Sequence, residues 1–215
     1  MRMVRVVLPA LLASAALAPA ASAAGQQASQ DRFAREARGE RIVSSPATAG
    51  ASTATGTVTL KQLGVSSGAG AGSVARAAVD RYASTLGVAD ARAQLRYAGA
   101  TTDPLGQRHV RFEQVAGGVP VYDGLVTVHL ARGADALKGF TAGVTQSTSG
   151  AASQPSISAD QARDVASAQV ADARLVQAPR LVVYTGVPLG SRPATLSWAV
   201  DVSSKSRPDR KRRRL

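Results

Sequence analysis

The sequence predicts an α+β protein made of two small units, each a helix packed on an antiparallel sheet, with disordered ends. Three observations carry that expectation. Apolar residues recur at helical spacing in two separate stretches, "SVARAAVDRYASTLG" and "ISADQARDVASAQV". Each is followed by segments in which apolar and polar residues alternate, the mark of half-buried strands. Around them lie runs of Ser, Thr, Ala, Gly and Pro with little to bury.

The chain opens as an export signal does. Arg2 and Arg5 form a positive start, Val6 to Ala18 an apolar core, and Ala21-Ser22-Ala23 the small-x-small cleavage pattern. An apolar run of about 13 residues falls short of the ~20 that cross a bilayer. Residues 1–23 are therefore expected to be removed, giving a secreted chain with no stable membrane insertion. Cysteine is absent, which excludes a disulfide framework and any thiolate metal centre. The net charge is +12, but Lys205–Leu215 holds seven cations against one acid, and the signal two more cations. Basicity is a property of the two ends, so no nucleic-acid-binding face is expected on the folded part.

Residues 24–57 read as a polar segment and linker. "GQQASQDRFAREARGERI" has only Phe33, Ala37 and Ile42 as apolar marks and suggests a frayed helix. From Ser44 to Thr57 nothing asks to be buried. The first unit spans 58–145. Its helix is capped by Ser73, closed by Gly87, and buries Ala75, Val79, Tyr82 and Leu86. A meander follows through "AQLRYAGA", "GQRHVRFEQVAGG", "VPVYDGLVTVHL" and "LKGFTAGV", with Gly117-Gly118 as a hairpin turn. After a linker at 146–156, the second unit spans 157–202. Ser158 and Gln161 have capping-box spacing, with Ile157 placed for a hydrophobic staple. "RLVVYTG" and "ATLSWAVDV" form its hairpin, with Leu196, Trp198, Val200 and Val202 on one face. The second strand is expected to leave an open sheet edge, and residues 203–215 a basic disordered tail.

His109 and His129, the two histidines of the chain, lie on strands 20 residues apart. With Glu113 they fit either a weak metal site or the polar trim of a hairpin. No H-E-x-x-H occurs, and a catalytic zinc wants three ligands and an orienting shell. Polar trim is the favoured reading. No G-x-S-x-G elbow presents a nucleophile. Glu113 and Asp123 read as solvated carboxylates or cross-strand partners of Arg111 and Arg132. "GAGAG" at Gly68–Gly72 lacks the lysine and preceding strand of a phosphate loop and reads as linker.

The stretch "HVRFEQVAGGVPVYDGLVTVHL" closely resembles the FTP motif of fungalysin and thermolysin propeptides. The resemblance marks His109, Arg111, Phe112, Gln114, Gly118, Val119, Pro120, Val121, Gly124, Val128 and His129 as motif residues with structural or partner-binding roles. The second unit resembles a PepSY domain, here incomplete. The resemblance implies a non-catalytic pro-region that assists folding of a secreted thermolysin-like zinc metallopeptidase and inhibits it. The partner is then the catalytic domain of such a protease. Zinc and the H-E-x-x-H belong to that domain, which the resemblance places after the second unit, and the chain is expected to be truncated before it, after "WAVDV". No cofactor or catalytic residue carries over. The alternative is a stand-alone secreted protease inhibitor or peptide-binding module of the same type.

Overall fold

A helix with its apolar residues on one face must cover that face, and in the computed structural model it does so on the inner side of a six-stranded sheet. The structure describes the backbone of residues 3–10 and the whole of residues 23–45, 49–146, 148, 154–186 and 190–204. In chain order the elements are β1 (Met3–Ala10), α1 (Ala23–Glu36), β2 (Arg38–Ser44), β3 (Ala51–Thr59) and α2 (Leu60–Leu63). Then come α3 (Ala71–Tyr82), α4 (Ala91–Gln94), β4 (Leu95–Thr102), β5 (Arg108–Ala116), β6 (Val119–Leu130) and β7 (Ala136–Gly143). The chain continues through α5 (Ala159–Ala168), β8 (Ala173–Leu175), β9 (Arg180–Tyr184) and β10 (Thr195–Ser204). The larger sheet runs β2-β3-β7-β6-β5-β4, antiparallel throughout. In the smaller one, β10 lies between β1 on one side and β9 with β8 on the other. One parallel pair, Val121↔Val183, joins the two. The architecture is α+β, with helices packed on an open sheet.

The expected helix is present, and Ala75, Val79, Tyr82 and Leu86 are all fully buried. They meet Val110, Phe112, Val126, Val128, Leu137 and Phe140 of the meander. The start differs from expectation: Gly70, not Ser73, is the N-cap, with no side-chain cap bond. Two residues of the "GAGAG" run, Ala71 and Gly72, are therefore helical. The helix ends through a 3₁₀ turn, Ala83–Leu86, closed by Gly87 at a left-handed φ of 77°.

The described residues of 24–57, read as a polar segment and linker, carry regular structure. In α1, Phe33 is fully buried, its ring centroid 5.1 Å from Tyr82 and 6.2 Å from Phe140. Its last residue, Glu36, accepts from Arg81 Nε at 2.8 Å and from the Tyr82 hydroxyl. The Arg81 hydrogen bonds hold the Glu36 carboxyl below the usual carboxylate range against the opposing pull of burial. Ser44–Thr57 contains most of β3, which buries Ala51 and Ala54, with Val58 following. Alanine buries little area, so this stretch lacks the hydropathy contrast that flags a strand. Small residues are what the site needs: a Cβ on Gly139 of β7 would lie 2.3 Å from the Ala54 carbonyl oxygen. Replacing Glu36 with alanine should cost about 1–2 kcal/mol, the charged hydrogen bonds discounted for partial exposure. Urea unfolding reads that loss, and unchanged stability would mean α1 is not anchored there.

The second unit follows its sequence closely at the helix. Ser158 and Gln161 form both capping-box bonds, and Ile157 packs with Ala162, Ala166, Val200 and Val202. Trp198 Nε1 donates to the Ile157 carbonyl at 2.9 Å. The sheet is larger than a hairpin, because β8 and β1 also pair with β10. The expected open edge at "LSWAVDV" is thus filled by β1, drawn from the stretch read as an export signal. Ser203 and Ser204 belong to β10 rather than to the tail. Ala21-Ser22 of the cleavage pattern, part of the 146–156 linker and residues 205–215 lie outside the described residues. No helix among the described residues is long and apolar enough to cross a membrane.

Candidate functional site

The hairpin β5–β6 sits at the centre of the larger sheet and touches the smaller one. Gly117 and Gly118 turn it at φ of 56° and 81°, backbone angles that glycine adopts without strain. Beyond the turn, Val115 pairs with Pro120, whereas the next regular pair is Glu113 with Leu125. One residue of β5, Gln114, therefore faces the four-residue excursion 121–124 of β6. Asp123 is exposed within it at a left-handed φ of 59°. The excursion carries Val121 out to pair with Val183, where the two pack with Ala194 and Val119. Val119 also meets Leu181 and Leu196.

Gln114 closes the bulge from inside. It is 2 % exposed. Its Nε2 donates to the Thr145 carbonyl at 2.6 Å, and its Oε1 accepts from the Thr145 N–H at 3.1 Å. The side-chain amide thus takes the place of a strand neighbour for backbone just past β7. Gly124 makes room for it. A Cβ there would stand 2.9 Å from the β-carbons of Gln114 and Val121. Gln114, Val121 and Gly124 form one packing unit. Phe112 and Val128 are core residues, and the Arg76 guanidinium lies 4.5 Å over the Phe112 ring. Arg111 is exposed on the outer face.

The histidines are direct cross-strand neighbours on that outer face, both partly buried rather than fully solvated. Their Nδ1 atoms are 2.8 Å apart. His109 Nε2 lies 3.2 Å from Asp103 Oδ2, and His129 Nε2 lies 2.9 Å from the Thr141 hydroxyl. Partners set the tautomers, because a carboxylate only accepts. His109 donates from Nε2 to Asp103 and accepts at Nδ1 from His129, whose Nε2 accepts from Thr141. Asp103 itself accepts from the backbone N–H groups of Leu105 and Gln107. Burial works against its charge, but the Gln107 N–H, the His109 ring and the Leu105 N–H outweigh it and hold the carboxyl below the usual range. Periodicity does not point to Asp103 or Thr141. The turn "TDPLGQ" was a legible signal for Asp103, since Asp before Pro accepts from following N–H groups.

Burial, then the neighbouring His109 ring, lowers the pKa of His129. A group depressed in the fold and normal when unfolded stabilises above its unfolded value. Stability is thus expected to be full above pH ~6.5 and to fall as acid passes the lowered His129 value. Urea midpoints at pH 7.5 and pH 5 read this. His129→Gln should flatten the difference, and an undiminished slope would contradict the assignment.

Thr141 beside His129 is the beginning of a nucleophile–base pair, but it has no surroundings for catalysis. It lies exposed on the sheet surface, paired with Thr53 and Thr127 in the two neighbouring ladders, rather than in a cleft with donors aimed at an oxyanion. An open hollow of about 490 Å³ lies instead on the helix side, among Arg76, Asp80, Arg92, Tyr97 and Phe112. Glu113 pairs with Arg96 at 3.1 Å, not with Arg111 or Arg132. Among the described residues, no group of three or more His, Cys, Asp or Glu could hold a metal ion. The described part of the chain holds no catalytic constellation.

A comparison with curated proteins returns no match. A family model does match, described as the Fungalysin/Thermolysin Propeptide Motif, over residues 93–134. Those residues run from the end of α4 through β4, β5 and β6, and so take in Gln114 and the histidine pair, while Thr145, the partner of Gln114, lies beyond them. The chain therefore carries a fungalysin/thermolysin propeptide motif across the β4–β5–β6 side of its larger sheet.

Proposed function

We propose that this chain is the non-catalytic pro-region of a secreted thermolysin- or fungalysin-type zinc metallopeptidase, acting as folding assistant and inhibitor of its catalytic domain. The single observation that supports this best is the propeptide motif at residues 93–134, set on the hairpin that organises the sheet. The absence of a reaction centre among the described residues agrees with a role played by surface contact. In this reading residues 1–23 direct export, residues 58–145 form the FTP-like domain, and residues 157–202 form a PepSY-like domain.

A pro-region inhibits by covering the cleft, so that substrate cannot reach the zinc. A specific contact of that kind buries on the order of 800 Å² per partner. It assists folding by binding the folding transition state of the protease, which matters for enzymes that persist through slow unfolding rather than large equilibrium stability. The test is refolding of a denatured thermolysin-like catalytic domain with and without the purified chain. Recovered activity, measured after the chain is digested away, should rise at least tenfold. Equal recovery at equimolar and higher ratios would remove the folding role.

A further inference from the structure

β10 has partners on both sides, and one of them is drawn from the stretch that reads as a removable signal. β9 and β8 occupy one edge, at Thr195–Ala199 and Val202–Ser204. β1 occupies the other along eight residues, from Met3↔Ser203 to Ala10↔Leu196. If residues 1–23 are cleaved, eight residues of β10 lose every ladder bond on that side. An unpaired edge beside a packed helix is a template for another strand.

The register says what kind of strand fits. Directly opposed residues in an antiparallel pair share a face. Val4, Val6 and Leu8 stand opposite Val202, Val200 and Trp198, the row that packs against α5. Arg5 stands opposite Asp201. Asp201 is 3 % exposed and accepts from Gln177 Nε2 at 2.5 Å. A carboxylate buried by a docking strand favours a cation at the opposed position. A second copy of β10 lacks it, because Thr195–Ser204 contains no Lys or Arg.

We propose that signal removal turns the β1-side edge of β10 into a docking site for an extended segment of a second polypeptide. That segment runs antiparallel, with a Lys or Arg opposite Asp201 and apolar residues opposite Val202, Val200 and Trp198. β1 is then the stand-in that covers the edge until export. The inference rests on the export reading of residues 1–23, and it is independent of whether the partner is a protease.

The experiment starts from the full chain expressed in an exporting host, with the N-terminus of the secreted product sequenced. The probe is a synthetic peptide of residues 3–10, blocked at both ends, compared with its Arg5→Glu form. The product should begin at or near Ala24 and bind the peptide saturably, slowing amide exchange within residues 196–203. The Arg5→Glu peptide should bind at least tenfold more weakly, and Asp201→Asn in the chain should shrink that gap below threefold. A product that retains residues 3–10, no saturation by millimolar peptide, or equal binding of both peptides would overturn the proposal. So would a dimer with residues 196–203 protected in the absence of peptide. None of these outcomes bears on inhibition or refolding of a protease, which are read separately.

Discussion

Replacing Gln114 with leucine should destabilise the fold by about 2–5 kcal/mol, because it strips partners from two buried backbone groups at once. The Thr145 N–H and C=O both pair with the Gln114 amide, and Thr145 is 4 % exposed. Water cannot replace the lost bonds without opening the bulge. Leucine is similar in size, so the loss is polar rather than a cavity effect. Gly124→Ala attacks the same unit sterically, since its methyl would sit 2.9 Å from the β-carbons of Gln114 and Val121. Overpacking of this kind costs about 1–3 kcal/mol. Val121 pairs with Val183, so the damage should spread to the smaller sheet. Urea unfolding followed by circular dichroism and by Trp198 fluorescence checks both points. A Gln114→Leu chain with an unchanged midpoint would mean the clasp is not formed.

The second large effect concerns tethering. A chain joined to its catalytic domain by a short flexible linker sees it at an effective concentration of about 1 mM. A contact with Kd near ~1 μM is then about 99.9 % occupied, and the enzyme is latent. The same chain, free at ~10 nM, fills only about 1 % of the sites. A fusion to a thermolysin-like domain should therefore show at least hundredfold less activity than an equimolar mixture of the separate parts at nanomolar concentration. Cleaving the linker and diluting should restore activity. Equal activities of fusion and mixture would show that no such contact forms.

Much of this molecule was legible before its structure, and the rest was hidden for identifiable reasons. The meander, the Gly117-Gly118 turn and the Ser158 capping box are local devices whose residue types state their geometry. β3 was missed because Ala51 and Ala54 bury without contrasting in hydropathy with their threonine neighbours. α1 was underrated because one phenylalanine and one glutamate anchor it, and their partners Tyr82 and Arg81 lie more than 40 residues away in sequence. The pairing of His109 with His129 was not legible, because a regular ladder from the Gly117-Gly118 turn would set His109 opposite Val126, and the excursion at 121–124 shifts the register by three. Its extension to Asp103 and Thr141 depends on strand ends and turns that periodicity does not resolve. The role of Gln114 was read only as part of a motif. Its reason, a side chain standing in for a strand beside a four-residue excursion, appears only when β6 is seen to leave the ladder. The pairing of β1 with β10 was invisible, because composition marked those residues for export rather than for a sheet.

The central claim is that this chain acts on a protease by contact and performs no chemistry of its own. The most direct measurement is a titration of a thermolysin-like catalytic domain with the purified chain to ~100 μM, a range that brackets a micromolar Kd. Substrate is varied at each point, and a parallel sample contains the chain alone. Competitive inhibition, weakened in the Gln114→Leu chain, with no peptide hydrolysis by the chain alone, is the expected result. Peptide cleavage by the chain alone that is abolished by His129→Gln would contradict it.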